Sequence, residues 1–431
     1  MARAWAIASE GGVSKSSSVF FTGGKFQQKA AGPATTEANT QIPAGTPWRP
    51  ADTTRIRTMA RPKLIIACPE TNADLLYATQ FRAPDAFAYV EIDGKKHILL
   101  NDLEVDRGRA SAKVDVVDAY SEFSKLAAKT PEKAPSFSKV IATWLTSKNI
   151  SEAKVPRDFP FGLAKDLKKA GIDLKPARGS FYPEREIKNR NEIHCVENAI
   201  RIAEAGMARG IEVLRSSRIL KDGILSFNGS HLTSESLRVE IETALIQNGG
   251  EARGDTIVAC GNEACDPHAR GSGPLRANEL IILDIFPRDA RSGWFGDITR
   301  TVVRGKASDA QRHLWETCLN GQKLALDAIK PGLPGGPIHD LVKKFFADQG
   351  YPTEIKNGRW QGFFHGTGHG LGLEVHESPR FADTTFQPGQ VLTVEPGIYI
   401  PGLGGVRHED VVLITKTGVR LLTQFAKPFE I

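Results

Sequence analysis

Four carboxylates and one histidine, Asp284, Asp297, His369, Glu395 and Glu409, punctuate the C-terminal part of the sequence beside turns or inside apolar runs. A lone acid in such a setting is costly to desolvate unless a positive charge compensates it. Asp284 ends the apolar run Leu280 to Leu283. Asp297 stands early in the return from a polar, glycine-containing loop, a pattern that predicts an antiparallel hairpin with the two acids on neighbouring strands. Glu395 sits between Val394 and Pro396 in QVLTVEPGIYI, and Glu409 in the strand expected to follow, GGVRHEDVVLIT. His369 falls between the two pairs, in the glycine-dense stretch HGTGHGLGLEVHE, whose glycines are read as giving the backbone room beside a site.

If these carboxylates converge to within about 4 Å, each pair repels by roughly 4 kcal/mol at an effective dielectric of 20. Divalent cations cancel that charge, and five donors are better suited to two ions than to one. Oxygen-rich ligation with a single imidazole and no thiolate fits manganese, iron or cobalt better than a structural zinc. Taken singly, each acid reads as an ordinary turn former or a solvated strand end. Only the ordered set points to metal.

That series, with the segments GNEACDPH, LDIFPR, GDITRT, HGTGHGLGLEVHE, TVEPGIY and GVRHED, resembles the pita-bread metallopeptidase family, which includes methionine aminopeptidases and Xaa-Pro peptidases such as prolidase. The matching segments run through the C-terminal half in the family's order, and the loop between the two aspartates is slightly longer than in most members. The resemblance implies that Asp284, Asp297 and Glu409 hold one ion and Asp297, His369, Glu395 and Glu409 the other, with Asp297 and Glu409 bridging. A water shared by two cations is a nucleophile near neutral pH, and the cations polarise a scissile carbonyl, so the implied chemistry is amide hydrolysis. Glu395 would move the proton as general acid and base, with His268 and His376 flanking the site. His365 would shape the substrate pocket, and Arg407 would pair either the substrate carboxylate or a ligand acid. The implied cofactor is a pair of divalent ions, Mn2+ first, with Co2+, Fe2+ or Zn2+ as alternatives. The implied substrate is a short proline-containing peptide, cleaved before proline by a dipeptidase or aminopeptidase acting as a homodimer. Two other readings are a metal-free amidinohydrolase of the creatinase type and a non-catalytic pita-bread module that binds peptides. Intact carboxylate ligands argue against both.

The remaining composition excludes competing chemistry. Cys68, Cys195, Cys260, Cys265 and Cys318 form neither a CxxC pair nor a disulfide-rich pattern, so ordinary thiols in a reducing, cytoplasmic setting are expected. The glycines around His369 lack the spacing and the Lys-Ser or Lys-Thr of nucleotide loops. A net charge of +6 over 431 residues, with no basic stripe, argues against nucleic acid, and no apolar stretch is long enough to span a bilayer.

With 40% hydrophobic and 25% charged residues, a chain of this length can bury more than one core. Residues 1–58, rich in Ser, Thr, Ala, Gly and Pro, are expected to be a disordered extension, either a targeting segment or a sequence preceding a start at Met59. From 59 to 180 the pattern alternates strands and helices: LIIA, a hairpin about Asp93-Gly94, and a helix capped by serine in SFSKVIATWLTSKNI. This α/β region resembles the creatinase-type N-terminal domain of Xaa-Pro peptidases, which methionine aminopeptidases lack. Past a boundary near Phe181 to Arg190, Ile193, Val196, Ile200, Ala203, Met207, Ile211 and Leu214 mark a long amphipathic helix. Further helices are expected after Thr233 or Ser234, after Ser308 with Gln311 as a capping box, and from Ile338 to Phe346. The expected fold of 181–431 is an α+β pita-bread domain, an antiparallel curved sheet with helices on one face.

Overall fold

The structure is a computed structural model that describes residues 61–128 and 134–431. The expectation for residues 1–58 lies outside the described residues. In the N-terminal region six strands form one mixed sheet in the order Val116–Ala119, Lys95–Leu100, Phe87–Ile92, Lys63–Ala67, Glu152–Val155, Asp173–Pro176. Phe87–Ile92 pairs antiparallel with both neighbours, and the outer pairs are parallel. Asp93 and Gly94 take φ of 50° and 82°, the backbone that a tight two-residue hairpin requires. Ser136 caps the helix Phe137–Ser147 at the Lys139 N–H, and Val140, Ile141, Trp144 and Leu145 bury against Leu64, Ile66, Ala88 and Val90.

The long helix spans Arg190–Ser216 and buries Val196, Ile200, Ala203, Met207, Ile211 and Leu214 of the stripe read from the sequence, while Ile193, in its first turn, is only half-buried. Asn189 and Glu192 form a reciprocal cap: the Asn189 side chain accepts from the Asn191 and Glu192 N–H groups, and the Glu192 carboxylate accepts from the Asn189 N–H at 2.8 Å. Asn189→Ala is expected to cost about 1 kcal/mol of unfolding free energy in urea titrations; an unchanged midpoint would show that packing alone fixes this helix end.

The sheet that follows is built from antiparallel pairs but is divided rather than continuous. One part orders Ile257–Cys260, Leu280–Ile285 and Ile298–Val303; another orders Glu377–Arg380, His369–Gly370, Val391–Val394, Asp410–Ile414 and Val419–Leu421. Strand alternation decides what faces where. Ile281, Leu283 and Ile285 pack on the helices Arg190–Ser216 and Ser234–Gln247, whereas Ile282 and Ile257 join a separate cluster with Tyr399. Leu392 and Val394 likewise pack on the helices Asp309–Ala328 and Gly335–Asp348, which leaves Thr393 and Glu395 on the other side. The helices thus shield one face of the sheets, and the polar residues collect on the opposite one.

Two expected positions differ in detail. Asp297 precedes the return strand, which begins at Ile298, because residues 286–297 are diverted: Arg288 and Asp289 form a short strand against Gly250 and Glu251. Arg288 also reaches Glu70 at 3.0 Å, beside the Glu70–Arg82 pair, so this longer loop is tied to the N-terminal region. Glu409 is not in a strand but at the corner between Gly404–Arg407 and Asp410–Ile414. The corner lets its N–H bond the Thr299 carbonyl at 3.2 Å while the chain passes from one sheet to the next.

Candidate metal centre

Asp284 lies opposite Thr299 in the central strand of its sheet, and Asp297 is two residues before Thr299, so both acids share a face. The Val394–Asp410 register, extended by one step, sets Glu395 across from Glu409. His369 enters from the adjoining strand, where its N–H bonds Thr393 Oγ1 at 3.1 Å. A Cβ on Gly368 would fall 1.9 Å from the Thr393 carbonyl oxygen and one on Gly370 2.5 Å from that of Ser378. These two glycines therefore let the histidine strand pass between its neighbours.

All five residues line one cavity of ≈ 730 Å³, together with His268, His365, His376 and Arg407. One ligand atom each from Asp297, His369 and Glu409 lie within 4.8 Å of one another. His369 Nε2 is 3.2 Å from Glu395 Oε1 and 3.8 Å from Asp297 Oδ2. Asp284 stands at the Arg407 end of the group, with Oδ2 accepting from Arg407 Nη2 at 2.6 Å. Thr299 donates to Glu409 Oε2 at 2.7 Å, and the wholly buried Arg300 donates to the Glu409 carbonyl at 2.5 Å and to Asp410 at 2.8 Å, fixing the corner from behind.

The electrostatics of this arrangement are those of acids with too little positive charge. Burial first, then the neighbouring carboxylates, push Asp297 and Glu409 well above the usual carboxylate range, and burial lifts Glu395 to about 7. Burial pushes His369 down to about 4, so its imidazole is neutral and available as a ligand. Asp284 Oδ1, Asp297 Oδ1 and Glu409 Oε1 are buried and have no hydrogen-bond partner. Buried carboxylate oxygens rarely go unpaired. Three of them facing one cavity beside a neutral imidazole fit hard divalent ions of the kind expected from the donor types.

The other expected residues are placed as follows. His268 and His376 are on the cavity wall; His376 stands edge-on to His369 with ring centroids 4.4 Å apart, and burial followed by His369 holds it below the ordinary histidine range. His365 bonds the Tyr399 hydroxyl at 2.9 Å, and burial pushes it down to about 3. Arg407 is 3% exposed and engaged with Asp284 and, at 2.8 Å, with Tyr399. Of the two partners weighed for it, the structure shows the ligand acid.

Four further residues belong to the site and were not singled out in the sequence. Tyr399 links His365 to Arg407; its signal lay in TVEPGIY, four residues beyond Glu395. Thr299 and Thr393 orient Glu409 and His369, and Thr299 is legible only once the strand register is known. Arg380 lines the cavity and has no carboxylate within ion-pair distance among the described residues. Ile257, Phe286 and Phe364 supply an apolar side.

Comparison with known proteins identifies the family. The profile of metallopeptidase family M24 matches residues 194–416. The chain is 31% identical over 321 residues to a Xaa-Pro dipeptidase of Pyrococcus horikoshii, covering 73% of this chain and 84% of that protein. It is 30% identical over 350 residues to the Xaa-Pro dipeptidase of Pyrococcus furiosus, covering 79% and 88%. Among solved structures, prolidase from Pyrococcus furiosus superposes with a TM-score of 0.67 at 26% identity over 85% of this chain and 97% of that one. Xaa-Pro dipeptidase from Bacillus anthracis gives 0.71 at 25% identity over 86% and 95%. A fold shared along nearly the whole of these proteins, and a family profile that runs through all five positions of the acid and imidazole cluster, make this chain a member of metallopeptidase family M24.

Proposed function

We propose that this chain hydrolyses peptide bonds that precede proline, using two divalent ions held by Asp284, Asp297, His369, Glu395 and Glu409. The observation that carries this reading is the gathering of these five side chains on one cavity with three buried carboxylate oxygens unpaired. Relatives named Xaa-Pro dipeptidase and prolidase support the choice of substrate. Asp297 and Glu409 would serve both ions, Asp284 one, and His369 with Glu395 the other. Bound ions of this kind lower the pKa of a water and polarise a carbonyl.

The chain's own residues supply the rest. The Glu395 side chain, 17% exposed against 12% for Asp284, 9% for His369 and 4% for Asp297, is the most open of these to the cavity, which suits it to receive a proton and return it to the leaving nitrogen. His376 and His268, both on the cavity wall, would hydrogen-bond the substrate or the tetrahedral intermediate. A bond before proline is a tertiary amide without an N–H and cannot join the strand-like ladder most peptidases use. A cavity with acids and imidazoles on one side and Ile257, Phe286 and Phe364 on the other accommodates the ring without needing that N–H. Arg380, which lines the wall with no carboxylate at ion-pair distance among the described residues, would take the substrate carboxylate in place of Arg407. Manganese is the preferred ion on the oxygen-rich donor set, and a homodimer in the cytoplasm, with residues 59–180 forming a creatinase-type domain over the cavity, completes the proposal. The two other readings are not favoured, since every ligand the peptidase needs is present.

Hydrolysis of Ala-Pro and Gly-Pro by manganese-loaded protein tests the reading directly; absence of cleavage across a panel of Xaa-Pro dipeptides and tripeptides would sink it. His376→Ala is expected to lower kcat by about 10²-fold while leaving the metal content of the purified protein unchanged.

A further inference from the structure

Next to His376 in the chain, the Glu377 side chain is 5% exposed, and both of its oxygens are engaged. Oε1 accepts from Lys188 Nζ at 2.7 Å. Oε2 accepts from Arg185 Nη2 at 2.6 Å and from the backbone N–H groups of Leu373 at 3.0 Å and Glu374 at 3.3 Å. The last two bonds close the loop between His369–Gly370 and Glu377–Arg380 onto its own end. Gly372 belongs to the same closure, because a Cβ there would lie 2.3 Å from Glu377 Oε1.

The cations come from elsewhere in the fold. Arg185 and Lys188 sit in the segment between the six-stranded sheet and the long helix, and the Lys188 side chain is fully buried. Arg185 Nη1 continues to Asp74, in the first turn of the helix Ala73–Thr79, at 2.7 Å. A line of charge-assisted bonds therefore runs from the N-terminal region to the residue adjoining His376. Burying such charges yields little net stability compared with apolar packing of the same volume. What it does provide is direction, since each bond fixes an angle as well as a distance.

We propose that Glu377, clamped by Arg185 and Lys188, is the positioning residue that holds the His376 imidazole over the acid cluster, and that Asp74 transmits the N-terminal region's hold on it. The inference rests on the peptidase reading for its kinetic consequence, but the ring placement it asserts is measurable without turnover. Glu377→Gln keeps the size and the acceptor while removing the charge. It is expected to lower kcat on Ala-Pro by about 10- to 100-fold with KM changed by less than about 2-fold, because a small misplacement of a catalytic group is felt in the transition state. Metal content should match the parent. In metal-free protein labelled at histidine, the nuclear Overhauser contact between the His369 and His376 rings should weaken. Asp74→Asn, which leaves Glu377 and both of its cations in place, should show the same pattern at a few-fold in kcat, and Arg185→Lys should recover part of the loss seen in Arg185→Ala. Parent-like kcat and an intact ring contact in Glu377→Gln would overturn the proposal, as would losses that track only the folded fraction or the metal content. If the parent cleaves no Xaa-Pro bond, the peptidase reading fails and the ring contact alone decides the clamp.

Discussion

Asp297→Ala and Glu409→Ala are expected to abolish metal loading at both sites and to reduce kcat/KM by about 10⁴-fold or more, as removal of an element shared by the whole reacting assembly does. The two acids lie at the middle of the cluster, each close to the other and to His369. Their removal carries a second, opposite signature. In the metal-free protein each is a buried acid among buried acids, disfavoured by burial and by its neighbours. Substitution should therefore raise the stability of the metal-free form by about 1–3 kcal/mol even as it removes the stabilisation that metal confers. Plasma emission analysis of metal content and urea unfolding with and without manganese read the two effects separately. Parent-like metal content in Asp297→Ala would refute its shared role.

Arg407→Met should act the other way round. Arg407 is a buried cation paired with the carboxylate of a ligand acid, Asp284, at 2.6 Å and with Tyr399 at 2.8 Å, and those partners together with Glu395 keep it charged against the pull of burial. Without it, Asp284 joins the uncompensated acids, and breaking a buried pair on one side typically costs about 3–5 kcal/mol. Bound divalent ions would replace the missing positive charge, so much of the loss should return when manganese is added. Unfolding midpoints of the parent and Arg407→Met across a manganese titration check this. Curves that stay separated by the same amount at every metal concentration would mean that Arg407 does not serve as the internal counter-charge.

The elements of the fold were legible wherever local chemistry decides them. Ser136, Thr233 and Ser308 cap the helices read from them because a side-chain oxygen beside free N–H groups is a local fact. The Asp93-Gly94 hairpin follows from backbone freedom at two residues. The acids stood out because Asp284 and Glu395 interrupt runs that would otherwise be wholly apolar. What escaped the sequence was set by register and by long-range contact. Nothing near Glu409 shows that it turns a corner, since the partner that makes the corner is Thr299, distant in sequence. The same holds for Arg407, whose choice between substrate and Asp284 was made by a strand about 120 residues earlier, and for Arg288, whose partner Glu70 belongs to the other end of the described chain. Arg380 was passed over because an arginine in ESPR looks like any solvated cation until the cavity around it is known.

Anomalous X-ray scattering at the manganese edge, from crystals of catalytically active manganese-loaded protein, addresses the metal assignment most directly. Two peaks per chain are expected, both in contact with the carboxylates of Asp297 and Glu409 and separately bounded by Asp284 on one side and by His369 with Glu395 on the other. Active crystals with no anomalous peak at those carboxylates would contradict the account.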